Sequence, residues 1–381
     1  MWLIKFYKMK IGYVSNNPIT TDGGIGNFLF KLIYGLTNNS TIQPVFFFKP
    51  EHGKETDSNF TFILDESSID EAIALLNDMD VVHWNWGVTE SDDEFIMQIF
   101  RAIQVPIITT VHSLQLVEQE CYHECVNTYF NDAKDSFKSF IQYFDASARN
   151  QVEFIERSNV TVFLTNNEKL HADRLGIKTQ KSVVIYNSID SIPIDYSNIK
   201  QTKHTGIFSR LVYRKGILAA MTVIESMPDS TLTIHGGNGD PFTIAMVNSF
   251  LKNPRIQAKG ELRGLENQKQ FFKEISLMFG NSLYEPFGYS HVESMQLGVF
   301  PIIGANTGTV EIFGEDYPFI VKDDVNDLKQ KIMLYYSMSI NQLHELAQKI
   351  EKRFQEKSID LFLSSYKQLY EITCLTEKNS L

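Results

Sequence analysis

Two glutamates, Glu285 and Glu293, stand eight positions apart around a predicted turn in the second half of the chain. Pro286 disfavours a helix at Glu285, because its ring restricts the preceding residue to extended conformations. Gly288 permits a tight turn, so Glu285 is predicted in a loop and Glu293 in the first turn of the helix that follows. Both carboxylates can then face the space above the helix N-terminus. Each can accept two hydroxyl hydrogen bonds, which suits a sugar and a ribose.

The helix after this turn is predicted over 291–297, and it offers a second interpretation of Glu293. Ser290 and Glu293 match the S-x-x-E capping box, which would explain Glu293 by helix capping alone. Capping does not explain Glu285. The backbone N–H groups over 288–290 are predicted to be available to phosphate or sugar oxygens.

A basic segment follows the first predicted strand of the second half. Arg210 and Lys215 stand five positions apart around a predicted turn at the carboxyl end of that strand. Two cations that converge there would clamp a diphosphate, because Arg offers a planar fork of donors and Lys a point charge. Arg214 is expected to be solvated. The alternative is an exposed basic turn, since Lys and Arg are common on surfaces.

A glycine-rich loop over 22–27 lies between a predicted strand and a predicted helix. Gly23 and Gly24 would let backbone N–H groups approach an anion at the positive end of the helix. The dinucleotide fingerprint G-x-G-x-x-G would start at Gly24, but Leu29 occupies its third glycine position. A nicotinamide enzyme is therefore disfavoured, and an ordinary strand-to-helix turn remains the alternative.

His112 lies just past a predicted strand of the first half. A histidine beside a cleft can donate to a sugar hydroxyl or a backbone carbonyl, although a lone histidine is more often a structural residue with satisfied hydrogen bonds. The segment 304–311 is also predicted to lead from a strand through a loop of small residues into a helix. It either donates N–H groups to a ligand or is one more turn of an α/β fold.

The three cysteines cannot form a disulfide framework, which indicates a reducing, cytoplasmic setting. Cys121, His123 and Cys125 do not match the usual paired spacing of zinc ligands. On a helix, the two cysteines would share a face that a core buries. We therefore expect no metal. The first eight residues are too short and too charged for a signal peptide, and a strand is predicted to begin at Met9.

The composition indicates a packed globular protein, with 43% apolar and 21% charged residues. The net charge of −11 disfavours non-specific binding of nucleic acid and of anionic membrane surfaces. No apolar run approaches the roughly 18 residues of a membrane span, so membrane association is not supported. A phosphate ester would need local cations to hold it against this overall charge.

The 381 residues exceed what a single core of about 250–300 residues supports, so two domains are predicted. Short apolar runs alternate with helical stretches, which is typical of parallel sheets covered on both faces. The runs lie at 10–14, 44–48, 80–84, 106–111, 160–164 and 182–186, and again at 205–208, 230–235, 256–259, 275–279, 300–303 and 317–321. The final stretch, 340–373, is predicted to be helical throughout.

The pattern predicts two doubly wound, Rossmann-like α/β domains that face each other across a cleft. We assign residues 1–190 to the first domain, 191–203 to a linker and 204–355 to the second domain, with a C-terminal helical segment over 356–381. Ligands of such sheets bind at the carboxyl ends of the strands, so the cleft is the expected site.

The order and spacing of these motifs resemble the retaining glycosyltransferases of the GT-B fold, specifically the large fourth sequence family of sugar-nucleotide-dependent enzymes. The diagnostic piece is the E-x7-E element, here Glu285 to Glu293 with Pro-Phe-Gly after the first glutamate. The supporting pieces are Gly23-Gly24, Thr-Val-His at His112, Tyr-Asn at Asn187, Ser-Arg-Leu with Lys-Gly at Arg210 and Lys215, and the run over 298–303. The resemblance extends from Met9 to about Tyr370.

The resemblance implies a role for each matching residue in the second domain. Arg210 and Lys215 would hold the donor diphosphate. Glu293 would bind the ribose hydroxyls, and Glu285 the transferred sugar near the reacting face. The sugar-contacting loop would consist of Phe287, Gly288 and Tyr289 with their backbone.

In the first domain, the resemblance implies that Gly23 and Gly24 meet the donor phosphate after closure. His112 would lie near the anomeric carbon. The first domain would bind the acceptor and the second the nucleotide sugar, and the last helical segment would cross back towards the first domain.

Three segments depart from the family pattern. Asn187-Ser188 replaces the usual Asn-Gly, Tyr289-Ser290-His291 replaces aliphatic residues, and 307–311 replaces Gly-Gly-x-Pro-Glu. The last two lie around the expected pocket for the donor sugar, so the family pattern does not predict which sugar is transferred.

The resulting hypothesis is a metal-independent retaining transferase without a cofactor. It would move a hexose or N-acetylhexosamine from a nucleotide sugar, expected to be UDP-linked, to a hydroxyl on a carbohydrate or glycoconjugate acceptor. One rival is a catalytically silent GT-B protein that activates another glycosyltransferase. A second is a GT-B enzyme of another type, such as a sugar-nucleotide epimerase, against which the complete E-x7-E element weighs.

Overall fold

The computed structural model describes residues 8–20, 24–37, 41–49, 61–86, 94–129, 134–237, 239–322 and 324–378, without the side chains of 126–129, 134–144, 265 and 376–378. Two compact units divide the chain. The first comprises Met1–Gln119, Ala133–Ser188 and Ile359–Leu381, and the second Glu120–Asp132 and Ile189–Ser358.

A seven-stranded parallel sheet forms the centre of the first unit. Its strands are β1 (Met9–Ser15), β2 (Ile42–Phe48), β3 (Thr61–Ile63), β4 (Val81–Asn85), β5 (Ile107–Val111), β6 (Val160–Phe163) and β7 (Ser182–Val184), in the order β3-β2-β1-β4-β5-β6-β7. The predicted apolar runs account for all of these strands except β3. That strand is short, and its side chains are only partly buried.

The central strands are continuously apolar because both faces of the sheet are covered. In β1, Tyr13 packs into one core with Phe28, while its neighbour Val14 packs into another with Phe47 and Trp84. Successive residues of a strand point to opposite faces, so each face needs its own apolar partners. This accounts for a sequence pattern without polar alternation.

The described residues of the first half of the chain form six α-helices. They are α1 (Gly24–Thr37), α2 (Ile69–Asn77), α3 (Glu94–Ala102), α4 (Gln115–Tyr129), α5 (Lys134–Arg157) and α6 (Asn166–Arg174). The predicted Gly23 lies outside the described residues. Cys121 and Cys125 are buried on α4, as their helical spacing indicates.

A six-stranded parallel sheet forms the centre of the second unit. Its strands are β8 (His204–Phe208), β9 (Thr231–His235), β10 (Ile256–Ala258), β11 (Leu277–Gly280), β12 (Phe300–Gly304) and β13 (Ile320–Val321), in the order β10-β9-β8-β11-β12-β13. The helices are α7 (Ile217–Glu225), α8 (Pro241–Phe250), α9 (Leu265–Glu274), α10 (Tyr289–Gln296), α11 (Thr309–Phe313), α12 (Val325–Ser337) and α13 (Ile340–Gln355). Each of the six predicted apolar runs of this half overlaps a strand.

The C-terminal stretch consists of two helices, so the prediction that 340–373 is helical throughout is wrong. α13 ends at Gln355, and α14 (Ile359–Lys378) begins after three intervening residues. Ser358 and Asp360 are residue types that favour the start of a helix. α14 belongs to the first unit, where Phe362, Tyr366 and Tyr370 join the core that contains Phe28.

Hydrogen bonds attach the segment between β7 and β8 to the second unit. Asp195 N–H donates to the Gln296 carbonyl at 2.8 Å, and Glu351 accepts from the Ile194 N–H and the Tyr196 hydroxyl, both at 2.9 Å. Within the described residues, no helix is long and apolar enough to cross a membrane.

Candidate functional site

Lys215 and Glu285 form an ion pair in the second unit. Lys215 ends a 3-10 turn over Tyr213–Lys215 after β8, and Glu285 follows β11, the strand that pairs with β8. The carboxyl ends of parallel neighbours lie at the same edge of a sheet. The Lys215 Nζ donates to Glu285 Oε2, and the two side chains are 13% and 15% exposed. The pair is therefore mostly shielded from water but still reachable by a ligand.

Arg214 is buried, so the expectation that it is solvated is wrong. Its Nη1 donates to the Tyr284 carbonyl at 3.0 Å and lies 3.7 Å from Glu285 Oε2. The 3-10 turn directs this side chain inwards, where a carbonyl and a carboxylate compensate the loss of water. Sequence reasoning missed this residue because three of the six positions over 210–215 are basic and spacing alone does not orient them.

Burial and neighbouring charges shift the pKa values of Glu285 and Lys215. Burial by itself raises the pKa of the Glu285 carboxyl, but the positive charges of Lys215 and Arg214 outweigh it and lower that pKa to about 2. Burial lowers the pKa of the Lys215 ammonium below its usual range, although the attraction of Glu285 opposes the change. Glu285 is thus a carboxylate at neutral pH, ready to accept hydrogen bonds from hydroxyl groups.

Arg210 is exposed on the same loop, close enough to Lys215 to contribute to the lowering of its pKa. The loop is held by backbone bonds to the end of β9, where Ser209 N–H donates to the His235 carbonyl at 3.1 Å. A Cβ at Gly236 would lie only 2.2 Å from the Ser209 carbonyl oxygen. Gly236 therefore permits the close approach of the strand end to Ser209, the residue before Arg210, a supporting role that the sequence analysis missed.

The turn after Glu285 starts α10 earlier than predicted. Gly288 caps the helix with a left-handed φ of 87°, no side chain caps it, and Tyr289 is its first residue. The prediction that the helix begins at residue 291 is therefore wrong. The capping-box interpretation fails as well, because Ser290 is already inside the helix. Glu293 lies one position beyond the first turn and is half-buried.

The side chains around this turn differ in exposure. Phe287 is 2% exposed, and its ring lies 5.0 Å from that of the half-buried Tyr289. The Phe287 ring is thus part of the packing. His291 and Thr309, which the sequence analysis noted only as departures from a pattern, are both buried beside Gly288.

Gly24 is the first residue of α1 in the first unit. A Cβ at Gly24 would meet nothing within 4 Å, whereas one at Gly26 would lie 2.4 Å from the Thr20 side chain and 2.9 Å from the Pro18 carbonyl oxygen. Packing therefore explains Gly26 but not Gly24. Open space at a helix N-terminus is what an approaching anion requires.

His112 lies at the end of β5 and is held by Asn85. Asn85 Nδ2 donates to the His83 carbonyl at 3.1 Å, so Asn85 Oδ1 faces His112 Nε2 at 3.2 Å. A carboxamide oxygen only accepts, so Nε2 carries the proton and Nδ1 is the proton-free nitrogen. Burial lowers the pKa of His112 to about 3, and the imidazole is neutral at physiological pH. Its ring contacts that of Phe28 edge-on at 4.7 Å.

The predicted site residues thus form two groups. Arg210, Lys215, Glu285 and the turn at Gly288 come together in the second unit, while Gly24 and His112 belong to the first. In the part of the chain that the structure describes, no three His, Cys, Asp or Glu side chains form a cluster that could hold a metal ion.

Residues 193–369 match the family model described as glycosyl transferases group 1. This segment contains every predicted site residue of the second unit. No curated protein sequence gives a significant match.

Solved structures provide a comparison over nearly the whole chain. Sucrose-phosphate synthase from Thermosynechococcus elongatus is 16% identical, with 96% of this chain and 98% of that chain covered and a TM-score of 0.69. Anabaena HepE, solved in complex with UDP and glucose, is 13% identical over 95% and 99%, with a TM-score of 0.68. An alpha-glucosyltransferase in complex with UDP and a 13-mer DNA is 14% identical over 96% and 99%, with a TM-score of 0.63.

At these identities the structural likeness concerns the fold, and it confirms the predicted pair of Rossmann-like α/β domains of the GT-B type. Over residues 193–369, which contain the Lys215–Glu285 cluster, the chain is similar to the group 1 glycosyl transferases.

Proposed function

We propose that the protein transfers a hexose or N-acetylhexosamine from a UDP-sugar to a hydroxyl acceptor, with retention of the anomeric configuration. The observation that carries the proposal is the cluster of Arg214, Lys215 and Glu285 at the carboxyl ends of β8 and β11. It provides cations and a carboxylate in one place, which a sugar joined to a diphosphate requires.

The diphosphate is the leaving group, so its developing charge is what the site must stabilise. Lys215 and Arg210 are the cations proposed to do so, with Arg210 exposed and Lys215 13% exposed. Lys215 would exchange part of its contact with Glu285 for a phosphate oxygen. This charge stabilisation needs no metal ion and no cofactor.

Glu285 is proposed to accept hydrogen bonds from hydroxyls of the transferred sugar. Its low pKa supports this role, because an ionised carboxylate is an acceptor at both oxygens. The backbone over 287–289 would contact the same sugar. Glu293, half-buried on α10, is proposed to bind the ribose hydroxyls.

In the first unit, Gly24 is proposed to admit the donor phosphate to the N-terminus of α1, and His112 to lie near the anomeric carbon. The neutral His112, whose Nε2–H is held by Asn85, would offer its proton-free Nδ1 to a sugar hydroxyl. Retention would follow from attack on the face that the diphosphate leaves, with a phosphate oxygen accepting the proton of the acceptor hydroxyl.

The solved relatives support UDP as the nucleotide, because two of them contain it. A carbohydrate or glycoconjugate is proposed as the acceptor. One relative was solved with DNA, but the net charge of −11 favours an acceptor less acidic than nucleic acid. The three cysteines support a cytoplasmic location.

The rate of UDP release from UDP-glucose and UDP-N-acetylglucosamine, with glycan acceptors, tests the proposal. Lys215→Ala and Arg210→Ala should each raise the barrier by about 2–4 kcal/mol, the usual effect of removing one charge-stabilising donor. Lys269→Ala is the matched control, because Lys269 forms an exposed pair with Glu266 on α9. Wild-type rates in both site variants would refute the assignment. NMR of the first product should show the anomeric configuration of the donor, and inversion would refute retention.

A further inference from the structure

Two residues at which the sequence departs from the family pattern contact each other in the structure. His291 on α10 and Thr309 at the start of α11 are 2% and 0% exposed. His291 Nδ1 lies 3.1 Å from Thr309 Oγ1. The two departures from the family pattern, at His291 and Thr309, are therefore structurally coupled.

The hydrogen-bond directions in this pair are determined by a third group. The Thr309 hydroxyl donates to the Phe287 carbonyl at 3.1 Å. Because that bond uses the hydroxyl proton, His291 Nδ1 must be the donor to Thr309. The chain of bonds thus runs from His291 through Thr309 to the backbone of the turn after Glu285.

A second bond joins the same loop to the other end of the turn. Gly308 N–H donates to the Glu285 carbonyl at 2.8 Å. Between the two bonds, a Cβ at Gly288 would lie 2.4 Å from Thr309 Oγ1 and 2.6 Å from His291 Nδ1. The pair thus packs directly against the turn, which only a glycine at position 288 permits.

We propose that His291 and Thr309 are positioning residues for the donor sugar. They fix the backbone of the turn over 285–288, and through it the groups that contact the transferred sugar. This inference rests on the proposed role of that turn. The diphosphate is assigned to Arg210 and Lys215 on another loop, so the pair should affect sugar binding and leave nucleotide binding unchanged.

Calorimetric titration of the full chain with UDP and with UDP-glucose tests the inference. Thr309→Val removes the hydroxyl and keeps the shape, so UDP-glucose should bind about 10-fold more weakly, as expected for a lost buried hydrogen bond. UDP should bind with wild-type affinity. Thr309→Ser keeps the hydroxyl, so this variant should bind UDP-glucose with wild-type affinity.

Coupling between the two residues is tested with His291→Leu and the double variant. If they act as one unit, the double variant should bind UDP-glucose no more weakly than Thr309→Val alone. Thr233→Val is the matched control, because Thr233 is also buried and bonds a histidine, His204, at the start of β8. This control should leave both affinities unchanged.

Two results would overturn the inference, and they are distinguishable from failure of the proposed function. Equal weakening of UDP and UDP-glucose by Thr309→Val, or no weakening of either, would show that the pair does not act on the sugar. If the wild-type protein bound neither UDP nor UDP-glucose, the proposed function itself would fail, and the inference with it.

Discussion

Glu285 and its neighbours show how burial and charge combine at single residues. Burial alone would favour a protonated carboxyl, yet Lys215 and Arg214 keep Glu285 ionised down to about pH 2. The motifs that contain Lys215 and Glu285 predicted both as site residues. Arg214 was not predicted, because a run of basic residues does not reveal which side chain the 3-10 turn directs inwards.

The ionisation of His112 leads to a prediction about pH. Because burial lowers its pKa to about 3, His112 stays neutral from pH 5 to 8. The titration of His112 should therefore contribute no step near pH 6.5 to the kcat/KM profile of the wild-type enzyme. The His112→Asn variant should have lower activity but a profile of the same shape in this range.

Measurement of kcat/KM against pH for both proteins checks this prediction. A step near pH 6.5 that is present in the wild type and absent in the variant would contradict it. The low pKa of His112 also affects the free energy of unfolding. This free energy should decrease as pH falls from about 6.5 towards 3, because the unfolded chain binds the proton at a higher pH than the folded chain does.

At the scale of elements, the strands were predictable and the starts of helices were not. Continuous apolar runs predicted twelve of the thirteen strands that the described residues form, since two covered faces require apolar residues at every position. The start of α10 was misplaced because Gly288 caps it through a left-handed backbone conformation, without a side-chain signal. The break before α14 was missed although Ser358 and Asp360 are residue types that favour the start of a helix.

The glycines of α1 give a prediction at this scale. Gly24→Ala should not lower the melting temperature, because open space surrounds the added methyl group and alanine is the better helix former. Transfer from UDP-glucose should nevertheless slow, since the methyl group would occupy space proposed for the donor phosphate. Gly26→Ala is the control and should lower the melting temperature, because its methyl group would clash with Thr20 and Pro18.

Thermal unfolding and initial rates of UDP release measure these two effects separately. Unchanged activity of Gly24→Ala would contradict the proposed approach of the phosphate to α1. Gly24 would then be explained by the strand-to-helix turn alone.

At the scale of the whole molecule, an acidic chain concentrates positive charge at one site. The net charge is −11, yet two cations flank Glu285 in the second unit. The chain returns to the first unit at α14, which a buried network holds to the sheet: His83 bonds the Tyr370 hydroxyl at 2.6 Å and Thr110 at 2.7 Å. Sequence patterns predicted both sheets, but not this network, because its members are distant in sequence.

Binding of UDP to the full chain tests the assignment of the donor site to Lys215 and its neighbours. In thermal unfolding, UDP at 100 times its dissociation constant should add about 2.7 kcal/mol to the free energy of unfolding and raise the melting temperature by several degrees. We expect this shift for the wild type and for Lys269→Ala, and its loss in Lys215→Ala. No shift with UDP in the wild type, or an equal shift in all three proteins, would contradict the assignment of the donor site to Lys215 and its neighbours.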